Sequence, residues 1–104
     1  MAVAIVRCWN IKPGREKQAR QELDKIYTIR RDAPGYLLRV ELVSTQNPKQ
    51  ITIIALWKDR ESADEFAQSD HTMSHLASMR RHADEGPLQG GLHDANIDLK
   101  SLPK

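Results

Sequence analysis

The sequence predicts an α+β protein of the ferredoxin-like type, with the element order β-α-β-β-α-β. Three observations predict it: apolar segments rich in β-favouring residues, segments with helical periodicity, and proline or glycine turns between them. In this fold, two helical regions cover one face of a four-stranded antiparallel sheet. The length of 104 residues suits one domain over 1–104, with a core at about 2–99 and a short C-terminal tail.

The first half of the chain predicts a strand, a helix and two further strands. Residues 2–11 form an apolar run that stops at Pro13-Gly14, which indicates a strand and a turn. Residues 15–32 have helical periodicity, and proline and glycine then end the helix. The buried side of that helix is expected to carry Ala19, Leu23, Ile26, Tyr27 and Arg30. Residues 36–43 and 51–57 are the second and third strands, joined by a polar hairpin loop.

The second half predicts two helical stretches and a last strand. Asp59 is expected to cap a helix over about 60–68, and Asp70 to cap a second stretch from His71 to about His82. Gly86-Pro87 and Gly90-Gly91 indicate turns. The last strand is then expected at 92–99.

The strands predict a homodimer, because their apolar residues do not keep to one face. In the first strand the two alternating faces carry Val3, Ile5, Arg7 and Trp9, and Ala4, Val6, Cys8 and Asn10. Two helices cover only one face of a sheet, so the other face would expose a large apolar patch. Pairing of two sheets face to face, or as a barrel, would bury that patch.

Composition excludes several classes of protein. Sixteen Lys and Arg against fourteen Asp and Glu give a net charge of +2, which argues against a nucleic-acid binder. No apolar run approaches the ~18 residues of a membrane span, and the apolar start lacks the basic leader of a signal peptide. A single cysteine, Cys8, forms no internal disulfide, so we expect a cytoplasmic protein.

Several short motifs occur in a suggestive order. Trp57 ends the third strand, and it is followed by an acidic helix start, a small residue and the element Ser69-x-His71. Pro13-Gly14 follows the first strand, and Ala33-Pro34-Gly35-Tyr36 precedes the second. Over about residues 2–99 this pattern resembles the antibiotic-biosynthesis monooxygenase family. The resemblance implies a dimeric α+β barrel, and a function among cofactor-independent monooxygenases, haem-degrading monooxygenases or relatives of unknown activity.

The resemblance also allows a test of the haem-degrading branch. That branch has an Asn on the first strand, a Trp on the second helix and an axial His, and the matching positions here are Arg7, Phe66 and His75. Only His75 agrees, and the nearby Asn10 belongs to the opposite strand face from Arg7. The resemblance therefore disfavours haem and implies no bound cofactor.

Histidines recur along the last predicted helix. One helix face would carry His71, His75, Met79 and His82, at the spacing i, i+4, i+8 and i+11. Two such histidines bind zinc only with a third ligand, for which Asp70 or His93 is available, and nothing in the sequence requires one. We predict no metal site. The imidazoles are either a base in a pocket or partly exposed members of an amphipathic stripe.

The leading functional hypothesis is a monooxygenase that acts on an aromatic or quinol-like molecule with O₂. His71 or His75 is the predicted base and Arg7 or Asn10 the predicted oxyanion stabiliser. The predicted pocket walls are Trp9, Trp57 and Phe66. One alternative is a non-catalytic dimeric module that binds a small apolar ligand or a partner, and a further one is a haem protein.

Each of these residues also has a structural interpretation. The two tryptophans are expected in the core or at the dimer interface unless they face a pocket. Arg7 and Arg39 interrupt apolar strands, and a buried arginine needs a partner. We expect that partner to be Glu41, Asp94 or Asp98, with an anionic group of the substrate as the alternative.

Overall fold

The structure is a computed structural model that describes residues 1–85 and 90–97. Its strands are β1 (Val3–Ile11), β2 (Tyr36–Val43), β3 (Gln50–Trp57), β4 (Ala83–Glu85) and β5 (Gly90–Asp94). Its helices are α1 (Glu16–Arg30), α2 (Arg60–Ala67) and α3 (Asp70–His82). The described part of the chain contains no helix with the length and apolar character that a membrane crossing requires.

The sheet is antiparallel with the strand order β2-β3-β1, and both β4 and β5 pair with the remaining edge of β1. This order places the first and third strands at the centre, as the ferredoxin-like prediction requires. The register of the central pair sets Arg7 opposite Ile53 and Val6 opposite Ile54. Consecutive residues of β1 therefore face opposite sides of the sheet.

The predicted last strand at 92–99 is wrong in its extent. Two short strands replace it: β4 pairs with the end of β1 at Asn10 and Ile11, and β5 pairs with Val3 to Arg7. β5 begins at the glycines that indicated a turn, because backbone pairing with β1 outweighs their weak strand preference. Residues 95–97 are not in a strand, and both 98–99 and Gly86-Pro87 lie outside the described residues.

The helix starts show one prediction confirmed and one corrected. Asp59 caps α2 as predicted, since its Oδ1 accepts a hydrogen bond from the Ser62 backbone N–H at 2.8 Å. At α3, however, the cap is Ser69, whose Oγ accepts from the Thr72 N–H at 3.3 Å. Asp70 is instead the first helical residue, where its charge complements the helix dipole.

The core beneath the helices consists of two clusters. One gathers around Trp9 and Met79, both fully buried, and the other around Trp57. The first cluster includes Trp9 of β1 and the second includes Val3 of β1. Arg7 lies between these two residues on the strand. The core is therefore interrupted by a charged side chain at the middle of the sheet.

The opposite face of the sheet carries no helix in the described structure and is largely apolar. Its side chains, taken from the register of β1, β2 and β3, include Val6, Leu38, Val40, Leu42, Ile54 and Leu56. Leu42 is 50% exposed and Val40 37% exposed. We call this set the bare face. A surface of this kind is unusual for a monomer and matches the predicted two-sided apolar strands.

Candidate functional site

A narrow cleft lies between the sheet and the helices α1 and α3. Polar side chains enter it from four elements: Arg7 on β1, Arg30 on α1, Arg39 on β2 and His75 on α3. Its remaining walls are apolar and include Trp9. The cleft is so narrow that it admits about one water molecule. An aromatic ring therefore enters only if the helices move away from the sheet.

His75 is the central titratable group of this cleft. It is 5% exposed, and its ring meets the Trp9 indole edge-on with the ring centroids 6.5 Å apart. Burial, with the charges of Arg30 and Arg7 as lesser causes, lowers its pKa to about 4. The imidazole is therefore neutral at pH 7, as the base hypothesis requires. Its Nδ1 has no hydrogen-bond partner among the described residues.

A second pocket of about 50 Å³ lies between α1 and α3 and shares lining residues with the cleft. His71 and Glu22 line its exposed part, whereas Ile26 and His75 line both this pocket and the cleft. We call it the outer pocket. The two histidines that the spacing grouped together thus face the same pocket, and only His75 also reaches the cleft.

The arginines of the cleft lack the structural partners predicted for them. Both oxygens of Glu41 accept hydrogen bonds from Arg20, at 2.6 and 3.1 Å. In the described part of the chain, no ion pair joins Arg7 or Arg39 to Asp94 or any other carboxylate, and Asp98 lies outside it. The predicted pairing is therefore wrong for Glu41, because the bidentate contact with Arg20 uses both of its oxygens. It is also wrong for Asp94, which lies opposite Val3 on β1 rather than opposite Arg7.

Arg30 is the functional candidate that the sequence did not single out. It is 5% exposed, and its Nη1 finds no acceptor within residues 1–85 and 90–97. Burial lowers the pKa of Arg30 to about 10, and the positive charges of Arg7 and Arg39 lower it as lesser causes. Burial also lowers the pKa of Arg7. The sequence contained one signal for this role, because it placed the charged Arg30 on the apolar side of the predicted helix without an obvious carboxylate partner.

Two of the predicted pocket walls lie elsewhere. Trp57 packs in the second core cluster, with ring centroids 5.4 Å from Phe66 and 5.6 Å from Tyr36. Phe66 borders a separate surface pocket beside Pro34, although the Arg30 guanidinium lies 6.0 Å from its ring centroid. The structural interpretation of Trp57 therefore holds. Trp9 alone of the three aromatic residues lines the cleft.

Asn10 does not reach the cleft either. It belongs to the strand face opposite Arg7, and its Oδ1 accepts a hydrogen bond from Asn47 Nδ2 at 3.5 Å. Of the two predicted oxyanion stabilisers, the structure brings only Arg7 near His75. The difference follows from the alternation of side chains along β1.

The remaining histidine-stripe residues give no metal site. Met79 is fully buried in the first core cluster, and the Nδ1 of His82 is buried without a partner in the described structure. Within residues 1–85 and 90–97, no three His, Cys, Asp or Glu side chains approach closely enough to hold a metal ion. Asp70 and His93 thus add no third ligand to His71 and His75.

The cleft also does not fit a haem group. A porphyrin needs an open slot beside its axial ligand, whereas the Trp9 indole packs perpendicular to the His75 ring with the ring centroids 6.5 Å apart. Phe66 lies outside the cleft lining.

We expect His75 to make stability depend on pH. Its pKa falls from 6.5 in the unfolded chain to about 4 in the fold, so between these values only the unfolded chain binds the proton. Above pH 6.5 the imidazole is neutral in both states and the free energy of unfolding is not reduced. As the pH falls from 6.5 to about 4, the free energy of unfolding decreases by up to about 3 kcal/mol. Urea unfolding at about pH 7.5 and 4.5 would measure this loss, which His75→Gln should largely remove. Equal pH dependence in both proteins would contradict the buried neutral imidazole.

Fold and cleft together define a class: a small α+β protein with a narrow cleft between sheet and helices that is lined by three arginines and a histidine. The family model described as antibiotic biosynthesis monooxygenase matches residues 1–77. The chain belongs to this family, as its motifs indicated. No curated protein sequence matches the chain.

Solved structures share the fold along nearly the whole chain. A conserved protein from Methanosarcina mazei has 18% identity and a TM-score of 0.78, with 89% of each chain covered. SnoaB, a cofactor-independent oxygenase from Streptomyces nogalater, has 15% identity and a TM-score of 0.79, covering 94% of this chain and 96% of its own. Rv0793 from Mycobacterium tuberculosis has 19% identity and a TM-score of 0.78, covering 97% and 100%. Identities this low establish the shared fold alone.

Proposed function

We propose that the protein is a monooxygenase that oxidises an aromatic or quinol-like substrate with O₂ and without a bound cofactor. The observation that carries this proposal is His75, a buried, neutral imidazole with a free Nδ1, placed where the outer pocket meets the cleft. Membership of the monooxygenase family and the likeness to a cofactor-independent oxygenase support it.

In the proposed reaction, His75 Nδ1 accepts the proton of a substrate hydroxyl group. An imidazole with a pKa of about 4 is a weak base in isolation, but the difference between the two pKa values decides the transfer. The positive charges of Arg7 and Arg30 lower the pKa of a phenol beside them as they lower that of His75. The resulting phenolate and imidazolium then attract one another strongly in a cleft with little water.

The phenolate supplies the electrons for oxygen activation. It passes one electron to O₂, and the two radicals combine at a ring carbon to give a peroxide. Loss of water then leaves one oxygen atom on the ring and returns the proton held by His75. For 1,4-dihydroxynaphthalene the balance is substrate plus O₂ giving 2-hydroxy-1,4-naphthoquinone plus H₂O. Arg7 is the proposed donor to the developing oxyanion.

The test of this function is oxygen consumption with dihydroxynaphthalenes in metal-free buffer. We expect a rate above autoxidation, with one atom from ¹⁸O₂ in the product and no accumulation of hydrogen peroxide. Autoxidation alone delivers its electrons to hydrogen peroxide, so added catalase distinguishes the two. A rate equal to that of heat-denatured protein, or oxygen recovered wholly as peroxide, would contradict the proposal.

A second candidate function rests on the narrowness of the cleft. A void that admits about one water molecule also suits a binding module whose helices open only for a particular ligand. This module would bind dihydroxynaphthalenes, with a change in tryptophan fluorescence, but would not accelerate their oxidation. The same oxygen measurement therefore separates the two candidates.

We further propose that two copies associate through the bare face. Its apolar side chains, half-buried or exposed in one chain, offer a self-complementary surface that a second copy buries. Sedimentation equilibrium at micromolar concentration should give about 24 kDa, twice the chain mass of 11.9 kDa. Leu42→Lys should shift this mass to the monomer because it places a charge at the interface. A monomer mass for the unaltered protein would contradict the proposal.

A further inference from the structure

The cleft contains more positive charge than its own carboxylates balance. Arg7, Arg30 and Arg39 all line it, and none of the described lining residues is an aspartate or glutamate. Each arginine lies on a different element, so the three converge from β1, α1 and β2. Arg30 is buried, and Arg7 and Arg39 are half-buried. A buried charge without a partner is costly and is ordinarily paired. This arrangement indicates that a negative group belongs in the cleft.

Aromatic rings hold two of these guanidinium groups in place. The Arg39 guanidinium lies 4.1 Å from the ring centroid of Tyr27, and that of Arg30 lies 6.0 Å from the centroid of Phe66. Contact with a ring face stabilises the cation and leaves the N–H edge of the guanidinium available. For Arg30 the free edge includes the buried Nη1 that has no acceptor in the described chain.

We propose that this site binds a carboxylate carried by the aromatic substrate, so that the preferred substrate is a hydroxyaromatic acid and a neutral quinol is a poorer substrate. The guanidinium edge matches the two oxygens of a carboxylate. The other cleft walls, including Leu23, Ile26 and Trp9, are apolar and suit the ring that bears it. When the helices move apart to admit a ligand, a planar carboxylate meets the guanidinium edge with both oxygens, whereas a phosphate would also place a third oxygen and a second charge against the apolar walls.

Carboxylate binding would also act on His75. Arg30 and Arg7 contribute to the low pKa of this imidazole, and a bound carboxylate neutralises part of their charge. The pKa of His75 then rises when the acid binds, and the pKa of a substrate hydroxyl group beside the same arginines rises with it, so the change in the imidazole marks the bound carboxylate. A neutral ligand of the same shape lacks this effect.

The experiment compares 1-hydroxy-2-naphthoate with its carboxamide, two ligands of similar shape that differ in charge and do not need oxygen to bind. Titration calorimetry on the full chain should show the acid binding at least about tenfold more tightly than the amide. Arg30→Gln and Arg7→Gln should each remove most of this preference. Arg31→Gln, which removes the same charge from an exposed neighbouring position, should keep it.

Two further measurements test whether the bound group is a carboxylate and whether its binding changes the pKa of His75. Acetate should compete with the hydroxynaphthoate better than inorganic phosphate does. NMR titration should show the pKa of His75 raised by about one unit or more with the acid and unchanged with the amide. Equal affinity for acid and amide, an unaltered preference in both arginine variants, or stronger competition by phosphate would overturn the assignment.

The ring part of this proposal rests on the proposed function, but the carboxylate site is tested without turnover. Selective binding of the acid together with no oxygen consumption would remove the monooxygenase proposal and keep the site. Oxygen consumption with no preference for acid over amide would remove the carboxylate site and keep the monooxygenase proposal.

Discussion

Replacing His75 with glutamine is expected to lower the rate of substrate-dependent oxygen consumption by about 100-fold or more, because general base catalysis contributes at least that factor. Glutamine keeps a polar side chain of related size but accepts no proton at neutral pH. Binding of the hydroxynaphthoate should persist, since the arginines remain in place. Steady-state rates from an oxygen electrode, with affinity from calorimetry, separate the two effects.

The matched control is His71→Gln. His71 was an equal candidate for the base in the sequence, but it lines only the outer pocket and is exposed. We expect this variant to keep at least about a third of the activity, as surface substitutions usually change little. A large loss in His71→Gln together with a small loss in His75→Gln would transfer the role of the base to His71.

Replacing Arg30 with methionine is expected to stabilise the free protein by about 1–3 kcal/mol while weakening binding of the acid. Methionine fills a similar volume, and it removes a buried charge that lacks an acceptor among the described residues. It also relieves the repulsion that Arg7 and Arg39 exert on Arg30. Urea unfolding without ligand measures the free energy of unfolding, and calorimetry measures the lost affinity.

Arg31→Met provides the comparison, because Arg31 is the exposed neighbour of Arg30 at the end of α1. Its free energy of unfolding should change by less than about 0.5 kcal/mol. If Arg30→Met instead destabilises the protein by more than about 1 kcal/mol, then Arg30 is a structural residue. If Arg30→Met instead stabilises the free protein and weakens binding of the acid, the residue costs stability and is kept for function.

The order of elements was predictable because each depends on local signals. Periodicity placed β1 and α1 within one or two residues, and Asp59 gave the start of α2 through its capping side chain. The division of the last strand into β4 and β5 was not predictable in this way. It depends on which part of β1 each segment pairs with, and pairing over such a distance leaves no local pattern.

The site was predictable in part for the same reason. Helical spacing grouped His71 with His75, and strand alternation separated Arg7 from Asn10. The convergence of Arg30 with Arg7 and Arg39 joins three elements, so sequence spacing does not show it. Glu41 was assigned to the wrong arginine because Arg20 lies on α1, and only the packing of α1 on β2 brings the two together.

The alternation of β1 has a consequence for how this protein can diverge. Arg7 and Trp9 contribute to the cleft, whereas Val6, which immediately precedes Arg7 in the strand, contributes to the bare face. Substitutions at every second position would therefore alter the proposed ligand site while the proposed self-association stays unchanged, and substitutions at the intervening positions would alter association alone. An insertion or deletion of one residue would exchange the two sets at once. We expect related chains to vary along β1 by replacement and to keep its length.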